Sequence, residues 1–156
     1  MSASLAIERV RAALREKGVD TEIVEFAQST CTAQEAADAI GTSVAQIVKS
    51  LVFVAGGQPF LALVSGANQA DTDKLAALMG APVERADARI VREATGFAIG
   101  GVPPVGHATS LVTFIDEDLL QFEEVYAAAG TPHAIFRITP QELVRITGGR
   151  VVALAR

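Results

Sequence analysis

Between Ser4 and Gly18 the apolar residues Ile7, Val10 and Leu14 recur at helical spacing while Arg9, Arg11 and Arg15 take other faces, which predicts an amphipathic helix over 5–17. Thr21 to Phe26 is short, β-branched and apolar, and reads as a strand. Thr32 with Glu35 three residues later is a capping box, predicting a helix over 33–40 that stops at Gly41, and Ser43 with Gln46 repeats the device for a shorter one. Lys49 to Val54 is a core strand, turned at Gly56-Gly57 into a second strand from Pro59 to Val64. Asp71 is placed to cap a helix through Leu75, Leu78 and Met79 that ends at Gly80. A short strand over Pro82 to Arg85 and a helix capped by Asp87 and stopped at Gly96 follow.

Further on, Leu111 to Ile115 is a strand, Asp116-Glu117-Asp118 an acidic turn, and Glu124 to Ala127 a further strand. Ala134 to Ile138 pairs with the sheet next. Thr139-Pro140-Gln141-Glu142 then combines an N-cap threonine, a first-turn proline and a capping-box glutamate ahead of a helix ending at Gly148, and Val151 to Leu154 supplies a last strand. No repeat or linker divides the pattern. Strands and short helices alternate without βαβ regularity, so the expected fold is a single α+β domain over 1–156, with a mixed or largely antiparallel sheet packed against several short helices.

Composition sharpens this. Of 156 residues, 50% are hydrophobic and 20% charged, with seven Phe, one Tyr and no Trp, so the core is aliphatic and needs no metal or disulfide to hold it. The net charge of −5 argues against coating nucleic acid along extended phosphate tracks, while leaving room for a local basic patch. A single cysteine, Cys31, fits a reducing compartment. The start Met1-Ser2-Ala3-Ser4 is unlike a signal peptide and no apolar run approaches membrane-spanning length, so the expectation is a cytoplasmic protein with no membrane partner.

Chemistry concentrates in Gly96 to His107, which carries four of the 13 glycines and two of the six prolines yet is interleaved with Phe97, Ile99, Val102 and Val105. That pattern describes a shaped, partly buried loop. Successive N–H groups at Gly100, Gly101 and Val102, ahead of the donor-free Pro103-Pro104, can hold an anion or a polarised carbonyl oxygen; the plainer reading is a tight connection between core elements. Lys49 shares a strand face with Leu51 and Phe53, and either snorkels to solvent or meets an anion in a cleft. Two histidines and one cysteine give no zinc-ligand spacing, so neither metal nor cofactor is expected. Cys31 fits either a nucleophile with a base such as His107 or a small buried thiol, and His107 either a general base or a structural hydrogen-bonding residue.

Taken in series, Ser29-Thr30-x-Thr32 before an Ala-rich helix, Ile47-Val48-Lys49-Ser50-Leu51-Val52-Phe53, Leu63-Val64-Ser65-Gly66 and Gly96-Phe97-x-Ile99-Gly100-Gly101-Val102-x-Pro104-x-Gly106 resemble the YbaK/ProX family. Its members are free-standing relatives of the editing domain inserted in bacterial prolyl-tRNA synthetases. The resemblance implies a deacylase acting in trans on the acceptor end of mischarged tRNA, chiefly tRNA for proline carrying Ala, Cys, Ser, Thr or 2-aminobutyrate, with prolyl-tRNA synthetase as a possible partner. It implies a catalytic role for Lys49, which would hold the phosphate and adenosine end, and for Gly100 and Gly101 in the glycine-to-proline loop. Thr30, Ser50, Ser65, Gly66, Val102, Pro104, His107 and Gly130 would surround the substrate, and a ribose hydroxyl of the substrate would activate the water. In some members a His or Asp of a late loop reads the amino acid; here that loop carries Ala129, Gly130 and His133. Two readings from other classes stand beside this one: a non-catalytic module binding a tRNA end or nucleotide, and a synthetase-associated partner protein.

Overall fold

A computed structural model describes residues 3–156. Met1 and Ser2 lie outside the described residues, and with them the start of the segment read as unlike a signal peptide. Helix α1 (Ala3–Glu16) buries Ala6, Ile7, Val10 and Leu14, the stripe that the periodicity predicts. The next elements in chain order are β1 (Ile23–Glu25), α2 (Ala33–Ile40), β2 (Ile47–Ala55), β3 (Gln58–Ser65), α3 (Thr72–Met79), β4 (Val83–Arg85) and α4 (Ala88–Thr95). After the Gly96–His107 loop come β5 (Thr113–Asp116), β6 (Val125–Ala128), β7 (Ala134–Ile138), α5 (Pro140–Thr147) and β8 (Arg150–Val152).

Capping decides the helix starts. The Thr32 hydroxyl accepts from Glu35 N while the Glu35 carboxylate accepts from Thr32 N, and Gly41 closes α2 in the left-handed conformation. Asp71, Asp87 and Thr139 each accept main-chain N–H bonds at the starts of α3, α4 and α5, devices worth about 1 kcal/mol apiece. Ser43 departs from expectation. It makes no side-chain cap, its hydroxyl instead donates to Gln46 Oε1, and only a three-residue 3-10 turn (Val44–Gln46) forms.

The strands make one mixed sheet in the order β1-β7-β6-β2-β3-β5-β8, with β4 also pairing β2. Pairs β1/β7, β2/β3, β2/β4 and β6/β7 are antiparallel, and β2/β6, β3/β5 and β5/β8 are parallel. Side-chain alternation sends Val48 and Val52 into the larger core with α1, Val91 of α4, and Leu143 and Ile146 of α5. Phe53, Phe60 and Phe114 face the other way and pack with Leu75 of α3, while Ile47 and Ile135 meet Ala36 and Ala37 of α2. Full burial of side chains such as Phe60, Leu61 and Leu63 contributes roughly 1.5–3 kcal/mol each.

One detail of pairing positions everything functional. β3 lies along β2 from Val48 to Ala55, whereas the other edge of β2 meets β6 only at Ile47 and Val48 and β4 only from Phe53 to Ala55. The sheet therefore has a gap beside Lys49, Ser50 and Leu51.

Candidate functional site

A cleft of about 330 Å³ occupies this gap, within the range of small-molecule sites. Val48, Val52, Val91, Val102 and Ala127 line it from the side of the larger core; Ile47, Tyr126, Ile135 and Ala36 line it from the α2 side, and Leu51 from the side of the phenylalanine cluster. Thr30 to Ala33, ahead of and at the start of α2, together with Ile99 and Gly100, complete the wall. The cleft thus passes through the sheet rather than resting on it.

Of the residues expected at the site, Lys49, Ser50, Thr30, Gly100 and Val102 line this cleft. Lys49 lies on the face shared with Leu51 and Phe53, half-buried, and its ammonium donates to the main-chain oxygen of Asn68. Burial pulls its pKa below the usual lysine value, the neighbouring Arg85 guanidinium adds to this, and the Asp116 carboxylate opposes both. Asp116 is fully buried and holds the region together: Ser65 N (3.0 Å) and Asn68 Nδ2 (2.9 Å) donate to its Oδ2, and Asp118 N (3.0 Å) to its Oδ1. So the carboxylate fixes the Asn68 loop, and that loop's carbonyl fixes the lysine. Sequence alone shows only an acidic turn at 116–118, because Ser65 and Asn68, which give Asp116 this role, lie some 50 residues away.

Gly96–His107 is a shaped, partly buried loop as expected, with Phe97, Gly101, Val102, Pro103, Pro104 and Val105 buried and Ala98 and Ile99 exposed. Its donors are redistributed. Gly101 N donates to Ala98 O at 3.1 Å, closing a turn in which Gly100 takes φ +91°, so Gly101 offers no free N–H and the expectation of three consecutive donors is corrected to two, Gly100 and Val102. Gly101 matters sterically instead: a Cβ there would lie 2.7 Å from Thr131 Cα and 2.8 Å from Thr131 N. The glycine lets the turn rest directly on the 129–132 backbone.

Five expected contacts fall elsewhere. Ser65 is 2% exposed, with its hydroxyl donating to Ala45 O, and Gly66 packs beneath Val44, so both brace the start of β2 rather than line the cleft. Pro104 is buried in the loop, and Gly130 lies against Ala6 of α1. His107 bonds through Nε2 to Pro103 O at 2.7 Å, which makes Nε2 the N–H donor, and it does not line the cleft. His133 similarly bonds through Nδ1 to Gln28 O, and with Thr30 N donating to Pro132 O it ties the 26–32 segment to the late loop.

Burial, outweighing the Pro103 hydrogen bond and assisted by Arg9, lowers the His107 pKa below its ordinary 6.5. A histidine whose folded pKa is depressed binds its proton more readily when unfolded, so this stability is complete above pH 6.5 and is lost as pH falls through the folded value. Denaturation of His107→Gln measured across that acidic window is expected to show a flatter pH dependence than the parent, with turnover retained because the ring is outside the cleft.

One cleft residue departs from its sequence reading and another escaped it. Cys31, foreseen as a nucleophile or a buried thiol, is exposed and lines the cleft beside Gly100. Arg85 lies on the Lys49 side, its guanidinium 5.6 Å from the Phe53 ring centroid and in no ion pair among the described residues. Alternation in Val83-Glu84-Arg85 could have flagged it, had the pairing of β4 with β2 been known. The cleft lining contains two cations and, among the described residues, no carboxylate and no imidazole. No group of three or more His, Cys, Asp or Glu among the described residues is placed to hold a metal ion, and no helix there is long and apolar enough to cross a membrane.

The chain matches the aminoacyl-tRNA editing domain family over residues 27–146. It is 30% identical over 148 residues to the uncharacterized protein YwhH of Bacillus subtilis, covering 94% of each. EbsC of Enterococcus faecalis, described as a candidate Cys-tRNA(Pro)/Cys-tRNA(Cys) deacylase, is 28% identical over 130 residues, covering 81% of this chain and 79% of its own. A crystal structure of a candidate trans-editing enzyme for prolyl-tRNA synthetase superposes with a TM-score of 0.94 at 52% identity over 99% of both chains.

Proposed function

This chain belongs to the aminoacyl-tRNA editing domain family, and on that premise we propose that residues 1–156 form one trans-editing domain that hydrolyses a small mischarged amino acid from tRNA, with tRNA for proline as the leading substrate. Water adds to the ester carbonyl, the bond to the ribose oxygen breaks, and the products are a free amino acid and an uncharged tRNA end. The observation that carries the reading is the cleft itself: two cations on one side, Gly100 and Val102 of the glycine-to-proline loop in its lining, and neither a carboxylate nor an imidazole there among the described residues.

Each part has a task. Lys49, with Arg85 beside it, holds the phosphate-bearing acceptor end; gripping only that end needs few phosphate contacts, which reconciles the reading with a net charge of −5. The N–H groups of Gly100 and Val102 stabilise the charge that develops on the carbonyl oxygen. With neither carboxylate nor imidazole in the lining, the neighbouring ribose hydroxyl relays the proton, taking it from the attacking water while passing its own to the departing ribose oxygen. Such chemistry belongs where tRNA is charged, the cytoplasm.

Steady-state deacylation of tRNA for proline carrying Ala, Cys, Ser, Thr or 2-aminobutyrate tests this directly. Binding of tRNA without turnover of any ester would instead favour a recognition module. Exhaustive chelation, with magnesium restored to fold the tRNA, is expected to leave the rate unchanged, and zinc-dependent recovery of a lost rate would place a metal in the reaction.

A further inference from the structure

Strand alternation sets Ser50 between Val48 and Val52 on the face of β2 turned to the larger core. Those two valines and Ser50 line the cleft together with Val91 and Val102, so the serine side chain is turned to an otherwise aliphatic side of it. Ser50 Oγ is also, among the described residues, the one buried side-chain oxygen or nitrogen with no hydrogen-bond partner. A hydroxyl buried unpaired has lost its bonds to water and gained none from the protein, a cost that an alanine would not carry there. The main chain adds to the case. Ile47 O accepts from Gly66 N on the β3 side and Val52 O from Ala86 N on the opposite side, so alternation aims the Ser50 N–H and C=O into the gap that neither β4 nor β6 fills.

Resting on the deacylase reading above, we propose that Ser50 Oγ reads the side chain of the aminoacyl group, and that the cleft selects a residue with its own hydroxyl, serine or threonine, over apolar ones. Serine and 2-aminobutyrate have the same number of heavy atoms and differ by hydroxyl for methyl, so shape does little to separate them. A substrate hydroxyl completes the hydrogen bond that Ser50 lacks; a methyl in its place leaves that oxygen buried and unpaired, and the discrimination follows from this difference.

The test compares kcat/KM for seryl- and 2-aminobutyryl-tRNA for proline in the parent protein, Ser50→Ala and Ser50→Cys. The parent is expected to favour the seryl ester by about tenfold or more, and both variants to lose most of that ratio through slower seryl turnover while the 2-aminobutyryl rate holds or rises. Thermal midpoints should hold or rise in Ser50→Ala, since no protein partner is lost. A parent ratio near one, or equal loss on both esters in the variants, overturns the inference and leaves the deacylase reading standing. A parent protein that turns over neither these nor any other mischarged ester overturns both.

Discussion

Lys49→Ala is expected to lower turnover of mischarged tRNA by about a hundredfold or more while leaving the protein folded. The ammonium is half-buried and its hydrogen bond goes to one loop carbonyl, Asn68 O, whose loop is separately held through the Asn68 side chain on Asp116 and Asp118. Truncation therefore removes a charge from the cleft without opening the core. Lys49→Arg should rescue poorly, because a planar guanidinium fork does not reproduce a compact ammonium. Single-turnover rates together with circular dichroism check the pair of expectations. Full activity in a folded Lys49→Ala protein would remove the lysine from the reaction.

The second large effect is Gly101→Ala. One added methyl carbon would sit within 3 Å of three backbone atoms of Gly130 and Thr131, and backbone cannot yield as a side-chain tip does. The Ala98–Gly101 turn must then lift, taking with it the Gly100 and Val102 N–H groups assigned to the carbonyl oxygen. Loss of one such donor typically costs on the order of a hundredfold in rate, roughly 3 kcal/mol. tRNA affinity, assigned to Lys49 and Arg85, should change far less. The split is read as a fall in single-turnover rate at saturating tRNA with a nearly constant Kd. A variant with parental rate would show that the turn tolerates displacement and that its donors take no part. Gly100→Ala is a harsher companion, combining a positive φ with approach to Cys31 Sγ at 2.7 Å.

What the chain announces about itself is largely what local physics decides. The Thr32/Glu35 box, the Asp87 cap and the Thr139-Pro140 helix start involve partners three residues apart, and each stands where expected. The same locality explains the Gly96–His107 loop, recognised as shaped and partly buried because apolar residues alternate with glycine and proline. Asp116 and Arg85 were illegible for the opposite reason. One owes its role to Ser65 and Asn68 and the other to Phe53, contacts created only when distant strands pair. Gly101 shows an intermediate failure: the sequence offers three successive N–H groups, but the turn in which Gly101 N bonds to Ala98 O and leaves two of them free was not visible. His107, too, had both a chemical and a structural reading, and only the 2.7 Å approach to Pro103 O chose between them.

The interrupted partnership along β2 has a further meaning for how such a fold is kept soluble and open at once. A bare strand edge ordinarily invites another chain to add to it, yet here it is only Lys49 to Leu51 long and recessed between two neighbours, too short to template a foreign strand. A ligand can use those main-chain groups; a polypeptide cannot. The chamber therefore needs no hinge or lid to exist, because it is set by where β4 and β6 stop. Extending either across Lys49 to Leu51 would zip the seam closed and turn a receptor into an ordinary sheet, with every side chain named above still in place.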